Sequence, residues 1–152
     1  MQAFRVLIIL IIFFTQTPRI VYAEDYGAVY FYEEDNEGNF LDLPEVYSLN
    51  TSYTTTEKAF FLLEELILNE ENFTTCVPND TELLDCSFSN GILTINFSCE
   101  ALNCAGNFNQ QLFVEQIINT VYSIEEIRGI ILLVDGEEST LPEGVDFSYF
   151  NR

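Results

Sequence analysis

Leu83–Ser98, LLDCSFSNGILTINFS, decides how this chain folds. Two apolar-alternating runs flank Asn90-Gly91, a dipeptide suited to a two-residue type I′ turn because both central positions need positive φ. With Ser89 and Ile92 flanking the turn, Phe88 lies opposite Leu93, Cys86 opposite Ile95 and Leu84 opposite Phe97. One face of the ribbon is then apolar throughout, while Asp85, Ser87, Thr94 and Asn96 face the other way. A slip of one residue would move the apolar set into water, so the pattern fixes the register. It predicts Leu84, Cys86, Ile95 and Phe97 buried on the face that the helices cover.

Downstream, the period changes. In Gln110–Ile124 (QQLFVEQIINTVYSI), Phe113, Val114, Ile117, Val121 and Ile124 fall on one helical stripe, with Glu115, Gln116, Asn119 and Ser123 opposite. After Gly129, Ile130–Val134 (IILLV) is a short apolar run ending at Asp135-Gly136, which reads as a strand buried on both faces or central in a sheet. Upstream, Ala28–Tyr32 (AVYFY) has the β-branched and aromatic character of a first strand, followed by an acidic turn at Glu33–Asn39. Thr54 and Glu57 have capping-box spacing and predict a helix to about Leu68, with Ala59, Phe60, Leu62, Leu63, Leu66 and Ile67 as its core arc. Phe61 and Leu68 lie outside that arc, among Glu57, Lys58, Glu64 and Glu65. They either pack beneath the Thr74–Asn79 loop or mark a partner-contact surface. The order β-α-β-β-α-β predicts an α/β (α+β) two-layer sandwich, a mostly antiparallel sheet with two helices on one face. A tail from about residue 141 follows, in which Leu141, Val145, Phe147 and Phe150 could pack back on the domain.

These residues resemble the GerM domain of sporulation and spore-germination proteins. The resemblance lies in LLDCSFSNGILTINFS, LFVEQIINTVYSI, IILLVDGE and LPEGVDF, in that order, with further support from AVYFY and the helix near Phe60. It implies a compact α/β fold related to the ring-building modules of envelope secretion complexes, and a role in sporulation or germination.

At the N-terminus, Arg5, the apolar run Val6–Phe14 and Val21-Tyr22-Ala23 form the three parts of a secretory signal, predicting residues 1–23 as a signal peptide cleaved before Glu24. The apolar run falls short of the ~20 residues that span a bilayer, so no stable membrane anchor is expected after cleavage. Many proteins of the resembled family are lipoproteins, but no Cys stands near this cleavage point. Residues 24–152 suit one domain with one core. Losing Arg5 and Arg19 with the signal leaves three basic against 25 acidic residues, a net charge of −22. Nucleic acid and anionic lipid surfaces would repel such a chain. A composition that is 48% apolar, with 14 Phe and 8 Tyr, argues for a packed core rather than charge-driven disorder.

Four cysteines in a secreted chain permit two disulfides. The close spacing of Cys99 and Cys104 suits a loop clamp, leaving Cys76 and Cys86 as the other pair; alternatively Cys86, directed inward by the hairpin, stays a buried free thiol. No metal site is expected, since the chain has no His and only Cys99 and Cys104 stand at C-x₄-C spacing. Glu33–Asn39 offers alternating oxygen ligands before a Gly, but the twelfth position from Glu33 is Pro44 where a calcium loop needs a bidentate Glu. Sequons at Asn50, Asn72, Asn79 and Asn96 are incidental in a bacterial chain and would matter in a eukaryotic one. Without His, Ser-His and Cys-His catalysis is impossible, and no carboxylate pair is singled out. The expectation is a secreted, non-catalytic module without cofactor that binds a basic protein partner in the cell envelope and is free to oligomerise. The rival readings are a cell-wall hydrolase using two carboxylates, and a secreted ligand-binding or inhibitory module unrelated to sporulation.

Overall fold

The computed structural model describes residues 25–68 and 73–152. The signal-peptide segment 1–23 and the Asn72 sequon lie outside the described residues. The chain runs β1 (Asp25–Glu34), β2 (Phe40–Leu49), α1 (Thr55–Leu68), β3 (Leu83–Ser89), β4 (Ile92–Phe97), a 3-10 turn (Cys99–Leu102), α2 (Asn107–Tyr122), β5 (Gly129–Val134), β6 (Ser139–Thr140), β7 (Asp146–Phe147) and β8 (Tyr149–Asn151). This is an α+β fold with two helices and open sheets, as the sequence pattern predicts.

The central hairpin forms as read, with one exception. Asn90 (φ 53°) and Gly91 (φ 84°) supply the two positive dihedrals of the turn. Ser89 pairs with Ile92, Phe88 with Leu93 and Cys86 with Ile95. Beyond Asp85 a bulge shifts the register, so Leu83, not Leu84, takes Phe97, and Leu84 is 46% exposed. The correction has a local cause. Ser98 N–H donates to the Glu82 carbonyl at 2.9 Å and Glu82 N–H to Ser98 Oγ at 3.0 Å, closing the ribbon end one residue early. The surplus residue on β3 is then extruded, as β-bulges do.

A four-stranded sheet has the order β3-β4-β5-β8. Its outer pairs are antiparallel and β4–β5 is parallel, the crossover being made by α2. β5 is therefore central, consistent with its continuous apolar run. The segment after residue 141 is more than a tail that packs back: β8 pairs with β5, and Phe147 stacks on Phe113 with ring centroids 5.5 Å apart.

β2 is a ten-residue strand that the sequence reading missed. It pairs antiparallel with β1 from Asp25↔Leu49 to Glu34↔Phe40, and the acidic stretch between them is the hairpin turn. Asp35 organises that turn, its Oδ1 accepting from the Glu37 and Asn39 amides and its Oδ2 from the Asn39 side chain at 2.9 Å. The carboxylate thus satisfies local donors, as an Asx turn does.

The two-stranded sheet stays separate from the four-stranded one because side chains of α2, rather than another strand, bond the second edge of β1. Ala28 N–H donates to Ser123 Oγ at 2.9 Å and Tyr30 N–H to Thr120 Oγ1 at 3.1 Å. Gln116 Nε2 donates to the Tyr30 carbonyl at 3.1 Å, and Tyr32 N–H pairs with the Thr74 carbonyl at 2.9 Å. The side expected to face solvent is therefore partly interior: Gln116, one of its members, is fully buried, as is Thr120 beside it. At the other end of this arrangement, Pro44 lies opposite Tyr30. The Tyr30 amide points away from β2, so position 44 likewise faces outward, where a missing N–H costs no ladder bond and blunts the free edge.

The core lies between the helices and the sheets. It joins Val29 and Phe31 of β1, Leu62, Leu63 and Leu66 of α1, Leu93, Ile95 and Phe97 of β4, and Phe113, Ile117 and Val121 of α2. At Gly27 β1 approaches α1 closely, since a Cβ there would stand 2.5 Å from Leu62 Cδ1.

Candidate interaction surface

The outer side of α1 is the surface that the sequence singled out. The capping box forms completely: Thr54 N–H and Oγ1 donate to Glu57 Oε2 at 2.7 and 2.8 Å, and Glu57 N–H donates to Thr54 Oγ1 at 3.2 Å. This fixes where the helix starts and hence which residues it presents outward. Ala59, Leu62, Leu63 and Leu66 are buried beneath it. At 100° per residue Glu57, Phe61, Glu64 and Leu68 then share one outward stripe.

Phe61 is half-buried. Its ring meets Tyr47 of β2 edge-on at 5.8 Å, so the strand that the sequence reading missed supplies its packing. Phe61 also lines a groove of about 380 Å³ with Tyr53, Thr56, Glu57, Phe60 and Glu64. Leu68 is 64% exposed and lines a second hollow of about 290 Å³ with Glu64, Ile67, Thr81, Glu82 and Leu83. Glu64 stands on the shared rim, and neither lining contains a basic residue. The surface is apolar at its floor and acidic at its margin. Bonds from the Thr54 backbone and hydroxyl hold Glu57 below the usual carboxylate range, which favours its charged form.

The described cations lie elsewhere. Lys58, read from sequence as part of the polar face of α1, is buried and ion-paired with Asp25 and, at 3.3 Å, with Glu126. Arg152 stacks over Tyr122 at 5.6 Å, and the Arg128 stem packs beside Gly91.

All four cysteines are free, so neither expected bridge is present. Cys99 is exposed on the 3-10 turn, with Sγ 3.5 Å from Glu100 Oε1, whereas Cys104 is buried. That turn points the two sulfurs into different surroundings despite their close spacing. Cys86 is buried on the inner face of the hairpin, and burial pushes its thiol up to about 12.

Among the described residues, the carboxylates with shifted acidities all move downward. The Asn39 side chain lowers Asp35, the Thr54 backbone lowers Glu57 and the Ser98 hydroxyl lowers Glu100. A general acid needs the opposite shift. Cys99, the exposed thiol, is raised by the bond to Glu100 and by its charge, which disfavours the nucleophilic thiolate. Among the described residues no group of three or more Cys, Asp or Glu side chains is placed to hold a metal ion. No helix among them is long and apolar enough to cross a membrane.

Comparison with known proteins adds a family. The model of the Germane family, described as sporulation and spore germination, matches residues 28–140. Among solved structures, a provisionally assigned lipoprotein from Clostridium perfringens is 25% identical, with a TM-score of 0.58 over 85% of this chain and 88% of that one. The tandem GerMN domains of the sporulation protein GerM from Bacillus subtilis superpose with a TM-score of 0.60 at 22% identity, over 83% of this chain. The match spans 45% of that tandem chain. The first GerMN domain alone gives a TM-score of 0.58 at 22% identity, over 80% of this chain and 96% of the domain. No curated protein matches the chain.

Proposed function

Because the chain belongs to the Germane family of sporulation and spore germination, we propose that it acts outside the cytoplasm as a non-catalytic docking domain of the cell envelope, binding a basic protein partner through the outer side of α1. The observation that carries this reading is the Phe61–Leu68 stripe, where apolar hollows sit inside a carboxylate margin. An aromatic or aliphatic anchor seated in such a hollow would supply affinity, and basic residues around it would meet Glu57, Glu64 and Glu82. The likeness to a provisionally assigned lipoprotein supports the extracytoplasmic placement. Downward-shifted carboxylates and a raised exposed thiol support the non-catalytic part.

The test is capture from envelope extracts of sporulating cells with wild-type protein, Leu68→Glu, Phe61→Glu and the control Leu84→Glu, an exposed apolar residue on the bulge. A protein retained by wild type and control but weakened at least about tenfold by either α1 variant is the expected result. Equal retention by all four proteins overturns the surface assignment. Release of soluble fragments from peptidoglycan by the purified protein overturns the non-catalytic reading.

A further inference from the structure

Cys76 and Cys104 are 28 positions apart on opposite sides of the β3–β4 hairpin, yet they meet in space. Both line a surface cavity of about 390 Å³ with Phe40, Thr75, Pro78 and Asn103. Cys104 Sγ lies 4.0 Å from the Cys76 carbonyl oxygen. Each backbone is fixed by a fully buried glutamine of α2: Gln116 Oε1 accepts the Cys76 amide at 2.7 Å, and Gln110 Nε2 donates to the Cys104 carbonyl at 2.7 Å. One helix therefore holds both cysteine positions in register. The other two thiols are engaged elsewhere, Cys99 beside Glu100 and Cys86 opposite Ile95.

We propose that Cys76 and Cys104 are the redox pair of this protein and form a disulfide that fastens the segment before β3 to the start of α2, leaving Cys86 and Cys99 as thiols. The oxidant is a disulfide of the small-molecule or protein class. The thiolate of one cysteine attacks a sulfur of that disulfide, giving a mixed disulfide and expelling one thiolate. The second cysteine then attacks the sulfur of the first and expels the other thiolate. Two protons and two electrons leave the protein, and the oxidant gains them as two thiols. Burial, followed by the charge of Cys104, pushes the Cys76 thiol up to about 11, and burial raises Cys104 as well. Thiolates so disfavoured do not stabilise the reduced form, so the bridge, once closed, resists reduction. It would close a loop around the whole β3–β4 hairpin, far longer than a Cys99–Cys104 clamp, and so restrict the unfolded chain more.

The physiological setting of this bridge rests on the extracytoplasmic reading, but its formation does not. Purified protein is equilibrated with oxidised glutathione, alkylated, digested without reduction and mapped by mass. The peptides carrying Cys76 and Cys104 are expected joined, lighter by two hydrogens, with Cys99 alkylated. Reduction should lower the melting temperature by roughly 10 °C in wild type and in Cys99→Ser, and have little effect in Cys76→Ser or Cys104→Ser. A Cys99–Cys104 link, or free thiols at both 76 and 104 after equilibration, overturns the proposal. A bridge that forms in glutathione but is missing from protein recovered from cells upholds the pair and counts against the extracytoplasmic placement.

Discussion

Replacing Gln116 by Leu would remove a buried polar side chain that makes four hydrogen bonds while keeping its approximate size. Gln116 Oε1 accepts from the Cys76 amide at 2.7 Å and from Thr75 Oγ1 at 3.3 Å; Nε2 donates to the Tyr30 carbonyl at 3.1 Å and to the Thr74 carbonyl at 3.5 Å. The side chain is 0% exposed. Leu leaves at least the two shorter bonds unmade, and a buried group without a partner costs ~1–3 kcal/mol. The added apolar surface returns ~1 kcal/mol. A net loss of about 1–5 kcal/mol follows, set against the ~5–15 kcal/mol that holds a domain of this size folded. Urea unfolding of Gln116→Leu against wild type measures it. Gln111→Leu is the control, since the Gln111 side chain bonds Asn107 on the exposed side of the same helix. Hydrogen exchange should also quicken at the Cys76 amide. A loss below about 0.5 kcal/mol with an unchanged m-value would refute the reasoning, because the orphaned groups would then have found other partners at little cost.

Ile95→Ala should cost ~2–5 kcal/mol as a truncation in a fully buried site, and both Thr94→Ala and Leu84→Ser well under 1 kcal/mol; similar losses by urea unfolding would mean the register and bulge are misplaced. Alkaline titration of the fully reduced protein should destabilise the fold. Burial raises Cys76 to about 11 and Cys86 to about 12, from an ordinary 9.0, and the Asp25 partner raises Lys58. The unfolded chain therefore loses these protons first, so stability present below pH ~9 is lost as pH climbs through ~12; a melting temperature flat over that range contradicts the buried-thiol geometry. With a net charge of −20 on the chain, added salt should raise the melting temperature by screening repulsion and slow association with a basic partner. A melting temperature that falls with salt would refute the repulsion argument, and salt-independent on-rates would refute the basic partner.

Local chemistry made much of this fold legible. Asn90-Gly91 dictates its turn whatever surrounds it, and the Thr54–Glu57 pair caps α1 with bonds made inside four residues. The stripe through Phe113, Ile117 and Val121 and the apolar run of β5 are likewise decided by burial at a fixed period. What stayed hidden depends on partners far along the chain. β2 carries Pro44 and an imperfect alternation, because its outward edge needs no ladder bonds. Gln116 looks solvent-facing on a helical wheel, and only the arrival of β1 on that side of α2 makes it interior. Lys58 is similar: its two carboxylate partners lie at the first residue of β1 and beyond the end of α2. The Leu84 bulge follows from a bond pair at Glu82 and Ser98 that no alternation encodes. For the interaction surface, the stripe itself was readable, whereas the contribution of Tyr47 required the missed strand. The cysteine proximity was unreadable for the same reason, since spacing along the chain favoured Cys99 and folding brought Cys76 instead.

The seam between β1 and α2 differs in kind from the ladders on either side of it. A ladder bond belongs to the backbone and survives almost any exchange of the residue that makes it. The bonds from Gln116, Thr120 and Ser123 are written in side chains, so each can be erased by a single codon. The β1–β2 ribbon is tied to α2 along this line, and the angle at which it meets that helix is thereby open to revision by few substitutions. Relatives that carry the four-stranded sheet unchanged should differ most in how this ribbon is mounted, and where they differ, these three positions should have changed first.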